Sequence, residues 1–171
     1  MNVLIDAGSC DGRFVKRFVR TPAYTLGWDI HAFEPNVKLK IDCPEAKVHR
    51  EAVWICDGEI KFYISKNEVG SSVVRDKKTG GLNKNKPIKV PCINLGKWIM
   101  KNFNPDDYIV LRMDIEGAEY RVLPAMIKDG SIKYVNELYY EPHWNKVGVS
   151  YKDNRLLAKY LARHTEVYHL L

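Results

Sequence analysis

The chain has 171 residues and a formal charge of +6, and 46% of its residues are hydrophobic. This length fits one globular domain, and the apolar fraction argues against an intrinsically disordered chain. No apolar run approaches the ~20 residues of a membrane helix, and Asp6 comes too early for a signal peptide, so we expect a cytoplasmic protein that does not bind membranes.

Short apolar segments alternate with helical patterns along the chain. We predict strands over residues 3–5, 24–33, 47–55, 60–65, 88–93, 108–115, 134–141 and 165–171. We predict helices after Gly12 and over residues 95–103, 119–128 and 153–164. This alternation predicts a single α/β domain spanning residues 1–171, with a mostly parallel central sheet and helices on both faces.

One connection has the chemistry of a tight turn. Asp57 and Gly58 readily adopt positive φ angles, which two-residue hairpins require. Residues 56–59 are therefore predicted to be a hairpin turn that pairs the strand at 47–55 with the strand at 60–65.

The connection over residues 68–87 shows no periodicity, so no helix or strand is predicted there. Residues 75–89 carry six basic side chains against one acid, which accounts for +5 of the net charge. This basic loop is either a solvated segment or a flap that attracts an anionic substrate.

A glycine-containing turn directly follows the first predicted strand. It contains Asp6, Gly8, Ser9, Asp11 and Gly12, and glycine allows the backbone to approach a ligand closely. The G-x-G-x-x-G pattern of dinucleotide-binding turns is absent, and the carboxylates would repel a pyrophosphate. S-adenosylmethionine carries a sulfonium and an ammonium group, so the acids favour this cofactor over NAD.

Two further segments are predicted near the same edge of the sheet. Glu34 and Pro35 end the second predicted strand, at roughly the spacing at which an acid meets the ribose of a bound nucleoside. A carboxylate accepts two hydrogen bonds from a cis-diol. Glu51, Ala52 and Val53 follow in the third strand and could bracket an adenine ring. The order and spacing of these segments, more than any one of them, predict the cofactor site.

Acidic residues cluster after the most apolar predicted strand. Asp114 and Glu116 lie two residues apart at its end. With His143 they are the predicted catalytic residues, among which we seek a general base. Glu141 is a further candidate base, and His143 could instead be an ordinary core or surface histidine. Glu119 is interpreted as a carboxylate that favours a helix N-terminus.

A divalent metal ion is an alternative role for the same residues. Asp114, Glu116, Glu141 and His143 offer hard oxygen atoms and one imidazole, which suit magnesium or manganese. No ligand spacing fixes such a geometry, and the four cysteines form no C-x-x-C pair that would bind zinc. We therefore expect no bound metal.

Four sequence segments together resemble the FkbM-type methyltransferases. They are D-A-G-S-C-D-G at 6–12, H-A-F-E-P-N at 31–36, E-A-V-W at 51–54 and M-D-I-E-G-A-E-Y at 113–120. The resemblance implies a Rossmann-like class I methyltransferase fold with an antiparallel C-terminal strand. It also implies S-adenosylmethionine as cofactor and O-methylation of a hydroxyl on a sugar or small metabolite.

The resemblance also implies roles for individual residues. Asp6, Gly8 and Gly12 would line the methionine end of the cofactor, Glu34 would hold the ribose, Ala52 and Val53 would lie by the adenine, and Asp114 and Glu116 would face the methyl group. The full predicted cofactor site is Asp6, Gly8, Ser9, Asp11, Gly12, Glu34, Pro35, Glu51, Ala52, Val53 and Asp114.

Departures from the family pattern shape the remaining expectations. The sequence begins at the first strand, where the family usually has a preceding segment that covers the cofactor, so a second subunit could supply that cover in a homo-oligomer. The basic loop leaves open an anionic small-molecule or glycan acceptor. Two other functions compete: a nucleic-acid methyltransferase or binder that uses residues 75–89, which we do not favour, and a non-catalytic module with this fold.

Overall fold

The computed structural model describes residues 1–24 and 27–170. Within these ranges the strands are β1 (Asn2–Ala7), β2 (Trp28–Phe33), β3 (Ala46–His49), β4 (Ala52–Trp54), β5 (Gly58–Phe62), β6 (Ile88–Asn94), β7 (Tyr108–Met113), β8 (Val135–Tyr140) and β9 (Glu166–His169). The α-helices are α1 (Arg13–Phe18), α2 (Leu95–Asn102), α3 (Glu119–Asp129) and α4 (Tyr151–Leu161). Short 3₁₀ turns occupy Ser131–Tyr134 and Trp144–Lys146. Of the predicted strands, residues 25, 26 and 171 lie outside the described ranges.

Six strands form a central parallel sheet in the order β3-β2-β1-β7-β8-β9. β1 is its centre, and successive residues point to opposite faces, so Val3 and Ile5 enter one core while Leu4 enters the other. Helices α2, α3 and α4 pack on the first face, and α1 packs on the second. The predicted α/β fold with helices on both faces is confirmed.

The order of strands reverses between β1 and β7, which are neighbours in the sheet but distant in sequence. Open α/β sheets bind ligands at such a switch point, beyond the carboxyl ends of the strands. Here the crevice lies where β1 leads into Gly8 and β7 leads into Asp114.

The C-terminal strand does not run antiparallel to the sheet, and that part of the expected fold is wrong. β9 pairs with β8 in parallel, with Leu138 opposite Val167. Between the two strands the chain passes through Trp144–Lys146 and α4, which return it to the starting edge of the sheet. A crossover of this kind brings the next strand in parallel.

The strand predicted at residues 47–55 is two strands that belong to different sheets. β3 joins the central sheet, whereas β4 pairs with β6 in a second sheet of order β4-β6-β5. The predicted hairpin is also wrong, because β6 lies between β4 and β5. Gly58 has the expected positive φ of 131°, but Asp57 accepts a hydrogen bond from the backbone of Asn94 in β6 instead of closing a two-residue turn.

The connection over residues 68–87 contains no helix or strand, as predicted, apart from an isolated bridge between Tyr63 and Ser72. None of the helices in the described ranges is both long and apolar enough to cross a membrane.

Candidate functional site

A cavity of about 610 Å³, partly open to solvent, lies at the carboxyl edge of the central sheet. Gly8 follows β1, Glu34 and Pro35 follow β2, and Asp114 follows β7; all four line it. Ala52 and Val53 of β4 extend the lining with apolar surface. A partly open cavity with a mostly apolar lining and a few converging polar groups has the character of a small-molecule site.

Gly8 allows the turn after β1 to pass directly beside the end of β7. Its φ is +85°, and a Cβ atom there would lie 2.0 Å from the backbone oxygen of Asp114. The backbone nitrogen of Gly8 donates to the oxygen of Phe33, and that of Asp114 donates to the oxygen of Ala7. Only glycine fits this junction of three strand ends.

Asp6 lies beneath the cavity and does not line it. Its side chain is fully buried, and Oδ1 lies 3.1 Å from Nη1 of Arg112. Arg112 also donates to the backbone oxygen of Gly8 and, through Nη2, to Oδ2 of Asp114 at 2.6 Å. Burial raises the pKa of Asp6, and Arg112 opposes that rise. Asp6 therefore acts on the cavity through Arg112, which orients Asp114.

Glu34 is the carboxylate most enclosed by the cavity, with 6% of the residue exposed. Its oxygens accept hydrogen bonds from the backbone nitrogens of Cys10 and Asn36, at 3.0 and 2.8 Å. Burial raises its pKa to about 7, against the lowering effect of those two donors. The group is thus fixed in orientation and poised to change charge near neutral pH.

Besides Asp6, four residues of the predicted cofactor site do not line the cavity. Ser9 is buried and donates to the backbone oxygen of Asp6, and Asp11 forms a surface ion pair with Arg13. Gly12 is the N-cap of α1 and packs against Ile41. Glu51 lies toward His49. The two acids of the first turn, Asp6 and Asp11, therefore do not line the cavity, although the sequence placed them at the cofactor.

Apolar residues of two connections complete the lining, and sequence reasoning missed them. They are Leu39, Val69 and Val73, with Gly70 and Ser71 between the last two, and Phe62 at the end of β5 also lines the cavity. These segments have no periodic pattern, so their only signal was the Gly-Ser-Ser sequence at 70–72. Ser72 ties this segment to the sheet edge by donating to the backbone oxygen of Glu116.

Lys77 belongs to the basic loop, but its side chain is buried against the acidic turn that follows β7, residues 114–119. Its Nζ lies 2.6 Å from Oε2 of Glu116, and it also donates to the backbone oxygen of Gly70. Burial raises the pKa of Glu116, but Lys77, His143 and Lys146 together bring it below its ordinary value. Arg75 and the other basic side chains of the loop are exposed. One charge of the loop is therefore internal and helps to fix Gly70 at the cavity.

His143 is fully buried beside the same turn. Its Nδ1 lies 3.1 Å from Oε1 of Glu119. The Glu119 carboxylate also accepts hydrogen bonds from the backbone nitrogens of Ile115 and Gly117. Its Nε2 faces Glu141 at 3.0 Å, with Glu116 at 3.6 Å and Asp114 at 3.8 Å. Burial lowers the pKa of His143, but the hydrogen bond and charge of Glu119 outweigh it and the pKa is raised. The three predicted catalytic residues thus lie together.

Asp114 joins the cavity to this polar cluster. Burial raises the pKa of its carboxyl group and Arg112 opposes that rise. Oδ2 is bound by Arg112, whereas Oδ1 is turned toward His143. A group bound in the cavity would therefore meet the cluster at Asp114 and at Glu116, which both line the cavity.

Comparison with known proteins identifies the family of the chain. The model of the methyltransferase FkbM domain matches residues 6–164, which include Gly8, Glu34, Asp114 and His143. No curated protein and no solved structure matches the chain. The match to the domain covers most of the chain, and the fold and the order of the four motifs agree with it. The chain therefore belongs to the FkbM methyltransferase family.

Proposed function

We propose that the chain is an S-adenosylmethionine-dependent methyltransferase that methylates a hydroxyl group of a sugar or small metabolite. One observation carries the proposal: Glu34 and Asp114 line the same cavity at the switch point of the sheet. Membership of the FkbM family supports methyl transfer.

The cavity offers a separate surface for each part of this cofactor. Glu34, held by two backbone donors, is suited to accept both hydroxyls of a ribose. Ala52 and Val53 supply the apolar wall that an adenine ring requires. Gly8 and Asp114 line the part of the cavity that we assign to the methionine end. The carboxylates of the lining, Glu34, Glu68, Asp114 and Glu116, disfavour a pyrophosphate and favour a sulfonium.

The expected chemistry is an in-line displacement at the sulfonium carbon. The cofactor supplies the reactive methyl group, and the protein supplies alignment and charge. Alignment contributes ~7–11 kcal/mol, whereas a general base contributes roughly 10²–10⁴-fold. Lys77 pairs with Glu116 and lowers its pKa, which makes Glu116 a poorer base than an ordinary glutamate. Asp114 lines the cavity, whereas His143 is buried and does not line it, so Asp114 is the best placed base of the three.

Product analysis with a panel of acceptors tests the function. The protein is incubated with S-adenosylmethionine and hydroxylated acceptors, in neutral and in phosphorylated or carboxylated pairs, and S-adenosylhomocysteine is measured. We expect turnover with at least one acceptor, lost in Asp114→Asn and retained in Glu59→Gln, an exposed acid outside the cavity lining. Cofactor binding without turnover on any acceptor would favour the non-catalytic module.

A nucleic-acid substrate remains the second candidate because the other five basic residues of 75–89 are exposed. Binding through them would weaken steeply with the logarithm of salt concentration. The internal position of Lys77 reduces the charge available for such binding. A salt-independent or absent interaction with single- and double-stranded nucleic acid would remove this candidate.

A further inference from the structure

We propose that Asp114, Glu141 and His143 form a binding site for a hard divalent cation, Mg²⁺ or Mn²⁺, at the edge of the cofactor cavity. Each of these residues offers one ligand atom, and the three atoms lie within 4.8 Å of one another. The proposal replaces the sequence-based expectation that no metal is bound.

The Nε2 atom of His143 indicates a ligand, because it is buried without a hydrogen-bond partner in the part of the chain that the structure describes. The residue is fully buried, and within the described residues its Nε2 has no hydrogen-bond partner. Oε1 of Glu141 lies 3.0 Å away without meeting the geometry of a hydrogen bond. Buried imidazole nitrogens normally have a partner. A cation held between Nε2 and the carboxylates would supply one.

The other face of His143 is arranged as it is in metal sites. Oε1 of Glu119 lies 3.1 Å from Nδ1, and the backbone nitrogens of Ile115 and Gly117 each donate to Glu119 at 2.8 Å. A carboxylate on Nδ1 keeps the proton there and leaves the lone pair of Nε2 for a metal. Glu119 thus orients the imidazole and does not itself bind the cation.

The surrounding charges select which oxygens remain for the cation. Arg112 donates a hydrogen bond to Oδ2 of Asp114, which leaves Oδ1 facing His143. Lys77 forms an ion pair with Glu116, so we do not include that carboxylate among the cation ligands. Lys146 lies 3.5 Å from Glu141 and 3.9 Å from Glu116, and about a third of its side chain is exposed. Lys146 can move into solvent when a cation binds.

The donor set and its spacing indicate the class of ion. Two carboxylates and one imidazole suit Mg²⁺ or Mn²⁺. With bonds of about 2.1 Å in octahedral geometry, neighbouring ligand atoms are roughly 3 Å apart and opposite ones roughly 4.2 Å apart. The Nε2 atom of His143 lies 3.0 Å from Glu141 and 3.8 Å from Asp114, within that range.

Three protein ligands leave coordination positions for solvent and for an acceptor oxygen. A bound cation would lower the pKa of an acceptor hydroxyl next to the methyl group. That role in the reaction rests on the proposed function, whereas cation binding itself does not.

Titration with Mn²⁺ alone tests the site. Chelator-treated protein, without cofactor or acceptor, is titrated while the electron paramagnetic resonance signal of free Mn²⁺ is followed. We expect about one Mn²⁺ per chain, displaced by Mg²⁺, and at least tenfold weaker binding in Glu141→Gln. Glu59→Gln is the matched control, because it removes one exposed carboxylate elsewhere, and it should bind as the unmodified protein does.

Two outcomes overturn the proposal: no loss of the free Mn²⁺ signal with the unmodified protein, or equal affinity in Glu141→Gln and Glu59→Gln. Glu141 is partly exposed, so its replacement should leave the fold intact, which circular dichroism checks. In Glu119→Gln the affinity should fall by about 10- to 100-fold. These titrations do not depend on methyl transfer, so failure of the proposed function and failure of the site are separately visible.

Discussion

Lys77 and Glu116 form an ion pair of 2.6 Å that joins the long basic loop to the turn after the central strand β7. Both side chains are largely buried, and Lys77 also holds the backbone of Gly70. The connection over residues 68–87, which lines the cavity through Val69, Gly70, Ser71 and Val73, is therefore a fixed wall.

Replacement of this lysine should destabilise the protein. Lys77→Met leaves the Glu116 carboxylate buried without its partner, and we expect a loss of about 3 kcal/mol in the free energy of unfolding. Urea denaturation measures it. Lys78→Met is the matched control, since Lys78 is an exposed neighbour, and it should change the free energy by less than about 0.5 kcal/mol. Equal effects of the two variants would show that the ion pair does not hold the loop.

The double variant Lys77→Met, Glu116→Gln gives a second test of the same ion pair. Because the buried charge is removed together with its partner, this variant should be more stable than Lys77→Met alone. Additive losses in urea denaturation would mean that the two side chains do not interact.

Gly8→Ala should be among the most damaging small substitutions. The added Cβ atom would lie 2.0 Å from the backbone oxygen of Asp114, which cannot move without breaking the β1–β7 junction. We expect a loss of more than about 3 kcal/mol in unfolding free energy.

Gly148→Ala separates backbone strain from this clash. Gly148 has a φ of +75°, close to the +85° of Gly8, but no atom lies within 4 Å of its added Cβ. Its loss should be only about 1 kcal/mol. Similar unfolding curves for the two variants would argue against a close contact at Gly8.

Binding of S-adenosylmethionine should depend on the charge of Glu34. Its pKa is about 7 in the free protein, and the ionised form accepts hydrogen bonds from both ribose hydroxyls. Affinity should therefore rise as the pH increases from 5.5 to 8 and then level off. In Glu34→Gln the affinity should be lower by about 10- to 100-fold at pH 8 and should vary less with pH. Parallel pH profiles would place the ribose elsewhere.

The same group should make the free protein less stable at higher pH. Its folded pKa of about 7 exceeds the unfolded value of 4.5, so the folded state binds the proton more tightly. Its contribution to stability is present below about pH 4.5 and is lost as the pH rises toward 7. Between pH 5 and 8 the unmodified protein should lose about 2–3 kcal/mol relative to Glu34→Gln in urea denaturation. A constant difference would show that the pKa is not raised.

Local patterns in the sequence predicted much of the fold. The apolar runs of β1 and β7 and the amphipathic pattern of α2 were sufficient, because burial on one or both faces dictates those residues. The antiparallel last strand, the hairpin at Gly58 and the single strand over 47–55 were wrong. Each depends on which distant strand pairs with the segment, and no local pattern encodes that choice.

The sequence predicted the residues of the candidate site that lie at strand ends, and it missed those that lie in loops. Glu34 and Asp114 were placed in one cavity from the order of their strands. Asp6 was assigned to the ligand although it lies behind Arg112. The sequence does not distinguish a strand-end acid that points toward the cavity from one that points into the protein interior. Lys77 was missed because burial of one lysine in a basic loop depends on a partner 39 positions away, Glu116.

The most direct test of the account is calorimetric titration of the unmodified protein with S-adenosylmethionine at pH 8. We predict a saturable heat with about one molecule bound per chain, and weaker binding in Glu34→Gln but not in Glu59→Gln. Absence of any binding heat at cofactor concentrations up to about 1 mM, where even a binding free energy of −4.1 kcal/mol would be detected, would contradict it.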